Sequence, residues 1–121
     1  MCSSLLVVDD ELGLRKLLTG ALSDAGYDIA VVRDGAQAIS LLECPTFAPD
    51  AVITDLNLGQ GPDGWQVAQR AQQRRPGVPV IYITGGRGQD PPPAGAPEGV
   101  FLLKPFTVEQ LLVVTEELLT S

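Results

Sequence analysis

Acidic side chains directly follow two apolar segments of this sequence. The segment LLVV leads into Asp9, Asp10 and Glu11. The segment AVIT leads into Asp55. Adjacent carboxylates repel one another, which lowers stability unless something offsets their charge. Mg²⁺ suits such a group, because proteins hold this small cation with a few carboxylates and leave waters on it for phosphoryl oxygens. Asp9, Asp10 and Asp55 are therefore candidate ligands of a magnesium site.

A hydroxyl and an ammonium group accompany two further apolar segments. Thr84 ends VPVIYIT, and Lys104 follows VFLL. An aspartate carboxylate can attack phosphorus and form an aspartyl phosphate. That reaction requires the phosphoryl charge to be neutralised, here by a metal on one side and Lys104 on the other, while Thr84 donates to a phosphoryl oxygen. These residue types together favour phosphoryl chemistry.

Each of these residues also has a purely structural explanation. Aspartates after strands commonly form turns or cap helices, and the helix dipole favours Glu11 in a first helical turn. Thr84 could simply end a strand, and a lone lysine is usually solvated. Their joint occurrence after four different apolar segments is what favours a site.

The elements that must position these residues are short apolar runs that alternate with helical patterns. The predicted strands are residues 5–8, 27–32, 51–54, 78–84 and 100–103. The predicted helices are one with apolar positions from Leu14 to Leu22 that Gly26 ends, then residues 35–42, 64–75 and 108–119. This alternation predicts a parallel sheet with helices on both faces. Right-handed crossovers bring the carboxyl ends of the strands to one edge, where ligands bind.

One helix is missing from the alternation. Residues 85–99, GGRGQDPPPAGAPEG, lie where a fourth helix is expected. Proline in a helix interior costs about 3 kcal/mol relative to alanine, and glycine about 0.8–1.0 kcal/mol. No apolar stripe compensates, so we expect a missing or degenerate fourth helix with at most one short turn.

Composition narrows the class of protein. A length of 121 residues predicts one domain, residues 1–121. The formal net charge of −7 argues against nucleic acid or a membrane as a direct partner, and the absence of histidine excludes internal imidazole chemistry. The leading apolar segment is too short to span a bilayer. We expect a soluble, cytoplasmic protein with free thiols at Cys2 and Cys44, a disulfide between them being the alternative.

Five stretches of the chain carry a common pattern. They are LLVVDDE (5–11), VITDLNL (52–58), DGWQV (63–67), VPVIYITG (78–85) and GVFLLKPF (99–106). Along nearly its whole length the chain resembles the receiver domains of two-component response regulators. The resemblance implies an α/β, flavodoxin-like, doubly wound five-stranded parallel sheet of (βα)5 type. It also implies Mg²⁺ as cofactor and a histidine kinase or histidine phosphotransfer protein as phosphoryl donor, and it leaves the output partner open.

The resemblance assigns roles to the acidic residues. Asp55 would be the phosphoacceptor. Asp9 and Asp10 would be the acidic pair that holds Mg²⁺, with Asp10 as the direct ligand, and Asn57 would offer its backbone carbonyl to the metal. The loop after Asp55 departs from the family pattern, because it is one residue longer and has Gly59 where a proline is usual, which predicts a more flexible loop.

The resemblance also assigns a switch. Thr84 would be the switch hydroxyl, and Lys104 the lysine of the motif. Phe101, three residues before Lys104, would be the switch aromatic that turns inward when Thr84 moves toward the phosphoryl group. The peptide bond between Lys104 and Pro105 would be cis.

The expected function is reception of a phosphoryl group followed by a change in a protein-binding face. One alternative is an interaction module that is never phosphorylated. Another is a phosphatase of the haloacid dehalogenase type, which needs a second aspartate where this chain has Asn57. The chain is either a stand-alone regulator or one domain of a longer protein such as a hybrid kinase.

Overall fold

A computed structural model describes residues 3–85 and 95–120 of the chain. Strands and helices alternate along these residues. In chain order they are β1 Ser4–Val8, α1 Leu12–Asp24, β2 Asp28–Val32, α2 Gly35–Leu42, β3 Ala51–Asp55, α3 Gly64–Arg74, β4 Val80–Thr84, β5 Val100–Leu103 and α4 Val108–Thr120. Each predicted strand and helix is present, with ends that differ by a few residues.

The five strands form one parallel sheet in the order β2-β1-β3-β4-β5. All residues of β3 and β4 are buried, which explains their continuous apolar sequences, because a parallel strand covered on both faces has no polar side. The carboxyl ends of the strands meet at one edge. The predicted flavodoxin-like sheet is confirmed.

Two apolar cores lie on opposite faces of the sheet. One core packs α2 and α3 against the sheet and includes Tyr82 of β4. The other packs α1 and α4 against it through Leu18, Leu22 and Leu111. Leu17 shares the helical spacing of the buried leucines but is 45% exposed. The apolar stripe of α1 is therefore wider than the part of the helix surface that packs against the sheet.

Local signals set the ends of the helices. Beyond α1, Gly26 has a φ of +97°; its amide donates to the Ser23 carbonyl, and the amide of Tyr27 donates to that of Leu22. This pattern is the Schellman motif, which ends helices at a glycine. α3 begins with a capping box, in which Asp63 and Gln66 each accept a hydrogen bond from the other's backbone amide at 3.0 Å.

The connection from β4 to β5 contains no helix in its described part, residue 85 and residues 95–99. The expectation of a missing fourth helix also concerns residues 86–94, which lie outside the described residues. Cys44 is a free thiol, while Cys2 lies outside the described residues. Among the described residues, no helix is long and apolar enough to cross a membrane.

Candidate functional site

Three carboxylates converge where β1 and β3 end. Carboxylate oxygens of Asp9, Asp10 and Asp55 all lie within 4.8 Å of one another. Asp9 is fully buried and Asp55 is 5% exposed, whereas Asp10 lies at the surface. The cluster predicted from the sequence is therefore present, and it opens to solvent on the side of Asp10.

Asp9 carries a buried oxygen whose hydrogen-bonding capacity is unsatisfied. Its Oδ1 accepts a hydrogen bond from the amide of Glu11 at 2.8 Å, but its Oδ2 is buried without a hydrogen-bond partner among the described residues. Burial is the main cause that raises the pKa of Asp9 to about 6, and the negative charges of Asp55 and Asp10 raise it further. The hydrogen bond from Glu11 and the positive charge of Lys104 lower this pKa but do not outweigh the burial. A buried oxygen of this kind, among hard oxygen donors, fits a divalent cation such as Mg²⁺.

Asp55 is held through both of its carboxylate oxygens. Oδ1 accepts a hydrogen bond from the amide of Asn57 at 3.1 Å, and Oδ2 lies 2.8 Å from Nζ of Lys104. Burial by itself lowers the pKa of Lys104, but the hydrogen bond and charge of Asp55 and the charges of Asp9 and Glu11 outweigh it, so the pKa lies above its ordinary value. The lysine is therefore a cation pointed at Asp55.

The backbone brings Lys104 and Thr84 to the same edge. The amide of Lys104 donates to the carbonyl of Thr84 at 2.8 Å, and the bond between Lys104 and Pro105 is cis, as the family resemblance implied. Thr84 is 8% exposed at the end of β4. Asp55 pairs with Ile83 in the register of β3 and β4, so Thr84 lies one residue beyond Asp55 toward the edge.

Phe101 lies in β5 beside Tyr82 of β4, its partner in the strand register. It is 41% exposed. Its ring contacts two other aromatic rings, those of Tyr82 and Trp65, at centroid distances of 5.3 and 5.9 Å. The family resemblance gave Phe101 the role of switch aromatic, but the sequence did not single out its two aromatic neighbours.

The loop after Asp55 takes a conformation that suits its departure from the family pattern. Gly59 has a φ of +75°, which a proline at that position would not adopt because its ring holds φ near −65°. The amide of Gly59 donates to Oδ1 of Asn57 at 3.4 Å. The flexibility expected of this loop stays a prediction, as does the metal contact of the Asn57 carbonyl.

Two residues at the site were missed by sequence reasoning. Nη1 of Arg15 on α1 donates to the backbone carbonyl of Asp9 at 3.2 Å. Gly64, the first residue of α3, lies so close to Asp55 that a Cβ atom would be 2.3 Å from its carbonyl oxygen. The sequence predicted a helix that begins at Gly64, but the close approach depends on how α3 packs on β3.

Comparisons with known proteins agree on the family. The sequence model of the family described as "Response regulator receiver domain" matches residues 5–116. The crystal structure of a response regulator receiver protein from Sinorhizobium medicae superposes with a TM-score of 0.90 at 38% identity, over 99% of this chain and 96% of that one. The nitrogen assimilation regulatory protein NtrX of Azorhizobium caulinodans is 32% identical over 124 residues, which cover 100% of this chain and 27% of that protein.

A third comparison concerns the fold. The receiver domain of a sensor histidine kinase from Pseudomonas aeruginosa superposes with a TM-score of 0.86 at 24% identity, over 100% of both chains, and its crystal structure has a magnesium ion coordinated in the active-site cleft. The chain spans between 23% and 50% of the length of the curated relatives that it matches. Because the family match covers most of the chain, this protein belongs to the response regulator receiver domains, a family of two-component signalling domains.

Proposed function

We propose that Asp55 accepts a phosphoryl group from a phosphohistidine of a histidine kinase or histidine phosphotransfer protein. The single observation that carries the proposal is the environment of the Asp55 carboxylate. It lies at the end of a central strand, 5% exposed, within reach of two other carboxylates and 2.8 Å from a lysine ammonium. This is the arrangement that a carboxylate nucleophile toward phosphorus requires.

The phosphoryl group moves from the donor imidazole to Asp55 in one displacement. A carboxylate oxygen of Asp55 attacks phosphorus, the new P–O bond forms as the P–N bond to the donor imidazole breaks, and the imidazole nitrogen leaves with the bond's electron pair and takes up a proton. Lys104 stabilises the negative charge of the phosphoryl oxygens, and Thr84 donates a hydrogen bond to one of them.

Asp9, Asp10, Asp55 and the backbone carbonyl of Asn57 are the residues that would hold Mg²⁺. When bound, the cation supplies charge neutralisation for the phosphoryl oxygens next to the acidic cluster. The unsatisfied Oδ2 of buried Asp9 supports this assignment. The exposure of Asp10 leaves the cluster open to solvent on one side, which would give a cation access to the three carboxylates.

The phosphorylated state then changes a protein-binding face. In our proposal Thr84 moves toward the phosphoryl group and Phe101 turns inward, which shifts a two-state equilibrium. We propose that residues 1–121 form one receiver domain that works in the cytoplasm through protein partners, without direct contact to nucleic acid or membrane. The catalysis in which it takes part is its own phosphorylation and dephosphorylation.

The phosphatase alternative is disfavoured by one residue. A haloacid dehalogenase-type phosphatase needs a second aspartate two residues after the nucleophile, and Asn57 occupies that position. The amide side chain of Asn57 cannot act as a general acid of this kind. An interaction module without phosphorylation is disfavoured because the acidic cluster and Lys104 are all present.

The test is to incubate the protein with acetyl phosphate and Mg²⁺ and to map the modification by mass spectrometry. We expect one phosphorylated residue, Asp55, with acid-stable, base-labile phosphate that Asp55→Asn abolishes. Asp24→Asn, in the exposed last residue of α1, is the matched control and should be phosphorylated like the parent. Equal incorporation in Asp55→Asn and the parent would contradict the assignment.

A further inference from the structure

Three aromatic rings from different elements pack together beside the acidic site. Trp65 comes from α3, Tyr82 from β4 and Phe101 from β5; we call them the aromatic trio. The ring centroids of Trp65 and Tyr82 are 4.6 Å apart, and Phe101 stacks on Tyr82 at 5.3 Å and meets the Trp65 ring edge to face at 5.9 Å. Contacts of this geometry stabilise an arrangement beyond the area that they bury.

Tyr82 is the fixed member of the trio. Its side chain is fully buried, and its hydroxyl donates to the carbonyl of Pro97 at 2.8 Å. Gly99 packs against the same ring, since a Cβ atom there would lie 2.7 Å from it. The Tyr82 ring is therefore held in place, and the rings of Trp65 and Phe101 both pack against it.

Phe101 is the member with room to move. It is 41% exposed and belongs to β5, which lies at one edge of the described sheet beside β4. Its ring is held by contacts with Tyr82 and Trp65. A change in the position of Phe101 therefore breaks or rearranges its contact with Trp65.

Trp65 is also connected to Asp55. It follows Gly64, which touches the backbone of Asp55 so closely that a Cβ atom would lie 2.3 Å from the Asp55 carbonyl oxygen. The capping box of Asp63 and Gln66 fixes this first turn of α3. Trp65 thus lies between the end of β3 and the ring of Phe101.

We propose that Trp65 is a positioning residue that holds Phe101 in its outward, half-exposed position and so sets the balance between the two states of the domain. The inference rests on the proposed function, in which Phe101 turns inward on phosphorylation. The contact with Trp65 is made by the outward ring, so it stabilises the unphosphorylated state. A ligand that favours the inward state must overcome this contact, and its apparent affinity is lowered accordingly.

The test measures the affinity for beryllofluoride, a phosphoryl mimic, at a fixed Mg²⁺ concentration. Trp65→Leu removes the aromatic contact, and Trp65→Phe keeps a ring at the same place. Phe47→Leu is the matched control, because Phe47 packs against the same core but comes shortly before β3 in the chain, near the amino ends of the strands and away from the acidic site at their carboxyl ends. Binding is followed by NMR of the phenylalanine rings, of which the chain has three.

Trp65→Leu should bind beryllofluoride about two- to tenfold more tightly than the parent, the factor that one aromatic pair contributes. The affinity of Trp65→Phe should lie between those of Trp65→Leu and the parent, and Phe47→Leu should bind beryllofluoride within about twofold of the parent. The Phe101 resonances of Trp65→Leu without ligand should shift toward those of the bound parent. A merely structural role for Trp65 would lower the melting temperature and leave this affinity unchanged.

Two results would overturn the inference alone: unchanged affinity in Trp65→Leu, or equal tightening in Phe47→Leu. A parent that does not bind beryllofluoride at all would overturn the proposed function together with the inference. Melting curves of each variant verify that it is folded, and Trp65→Phe keeps the test decisive if Trp65→Leu does not fold.

Discussion

At the level of single residues, the acidic cluster destabilises the folded domain when no metal is bound. Asp9 is fully buried, and its Oδ2 has no hydrogen-bond partner in the described part of the chain. Ionising this carboxylate in the folded state is unfavourable, as its pKa of about 6 indicates. Repulsion of this kind is expected at a site whose carboxylates bind a divalent cation, because the cation offsets their charge when it is bound.

We therefore expect Asp9→Asn to stabilise the protein in EDTA at pH 7, by about 1–3 kcal/mol of unfolding free energy, because the variant keeps an oxygen for the Glu11 amide and loses the buried charge. Asp10→Asn should stabilise less, since exposed charges interact weakly, by about 1 kcal/mol or less. Urea denaturation in EDTA measures both. A destabilised Asp9→Asn would show that the charge of Asp9 is already offset in the folded protein.

At the scale of elements, the start of α3 is packed against the end of β3 without space for a side chain. Gly64 does not adopt a positive φ, so its requirement is space and not backbone conformation. A Cβ atom would meet the backbone of Asp55 and Leu56 at 2.3 and 2.8 Å. The position of Asp55 thus depends on the residue that opens α3.

Gly64→Ala should lower the unfolding free energy by about 1–3 kcal/mol, the usual cost of overpacking. It should also slow phosphorylation, because α3 must move away from Asp55. Gly20→Ala is the control: Gly20 lies within α1, where a Cβ atom would meet no atom of a neighbouring described residue within 4 Å, and alanine there should stabilise by about 0.5–1 kcal/mol. Chemical denaturation distinguishes the two, and equal effects would refute the packing argument.

Tyr82 of β4 donates a hydrogen bond to Pro97, which precedes β5. Its phenol also makes the stability of the fold sensitive to pH in the alkaline range. Burial raises its pKa to about 12 from an ordinary value of 10. The folded state therefore holds the phenol proton more tightly than the unfolded state. The resulting stability is fully present below about pH 10 and is lost as the pH rises toward 12.

Between pH 10 and pH 12 the parent should lose about 2–3 kcal/mol of unfolding free energy relative to Tyr82→Phe, which has no phenol to ionise. At neutral pH the order reverses, because Tyr82→Phe lacks the hydrogen bond to Pro97 and should be less stable by about 0.5–1.5 kcal/mol. Denaturation at pH 7 and at several pH values above 9 measures both differences. Parallel pH profiles for the two proteins would contradict the assignment.

At the scale of the whole molecule, Mg²⁺ should act as a stabilising ligand of the folded state. The chain carries a formal net charge of −7, and the three clustered carboxylates come from two segments of the chain, residues 9–10 and residue 55, that only folding brings together. Binding to the folded state alone stabilises it by about 2.7 kcal/mol at a Mg²⁺ concentration 100 times the dissociation constant. The melting temperature should rise with Mg²⁺ and saturate.

NaCl at matched ionic strength is the control for general screening, and Asp10→Asn tests the site. We expect NaCl to raise the melting temperature of the parent only slightly. Mg²⁺ should raise the melting temperature of Asp10→Asn less than that of the parent. An equal rise for both salts would mean that Mg²⁺ acts by screening rather than by binding at the cluster.

The strands, the parallel sheet and the edge at which Asp9, Asp55 and Lys104 meet could all be predicted from the amino-acid sequence. These features follow from local properties: apolar runs mark strands covered on both faces, Asp and Gly mark helix ends, and alternation with right-handed crossovers puts all carboxyl ends at one edge. The family resemblance added the roles of these residues, which spacing alone does not supply.

The sequence did not predict which buried polar atoms lack a hydrogen-bond partner or which aromatic rings are in contact, because both depend on the tertiary structure. The unsatisfied Oδ2 of Asp9, the close approach of Gly64 to Asp55 and the contact of Trp65 with Phe101 all depend on how separate segments pack. Such contacts depend on how the helices pack laterally on the sheet. Hydrophobic periodicity tells which face of an element is buried, but not which side chain of another element meets it there.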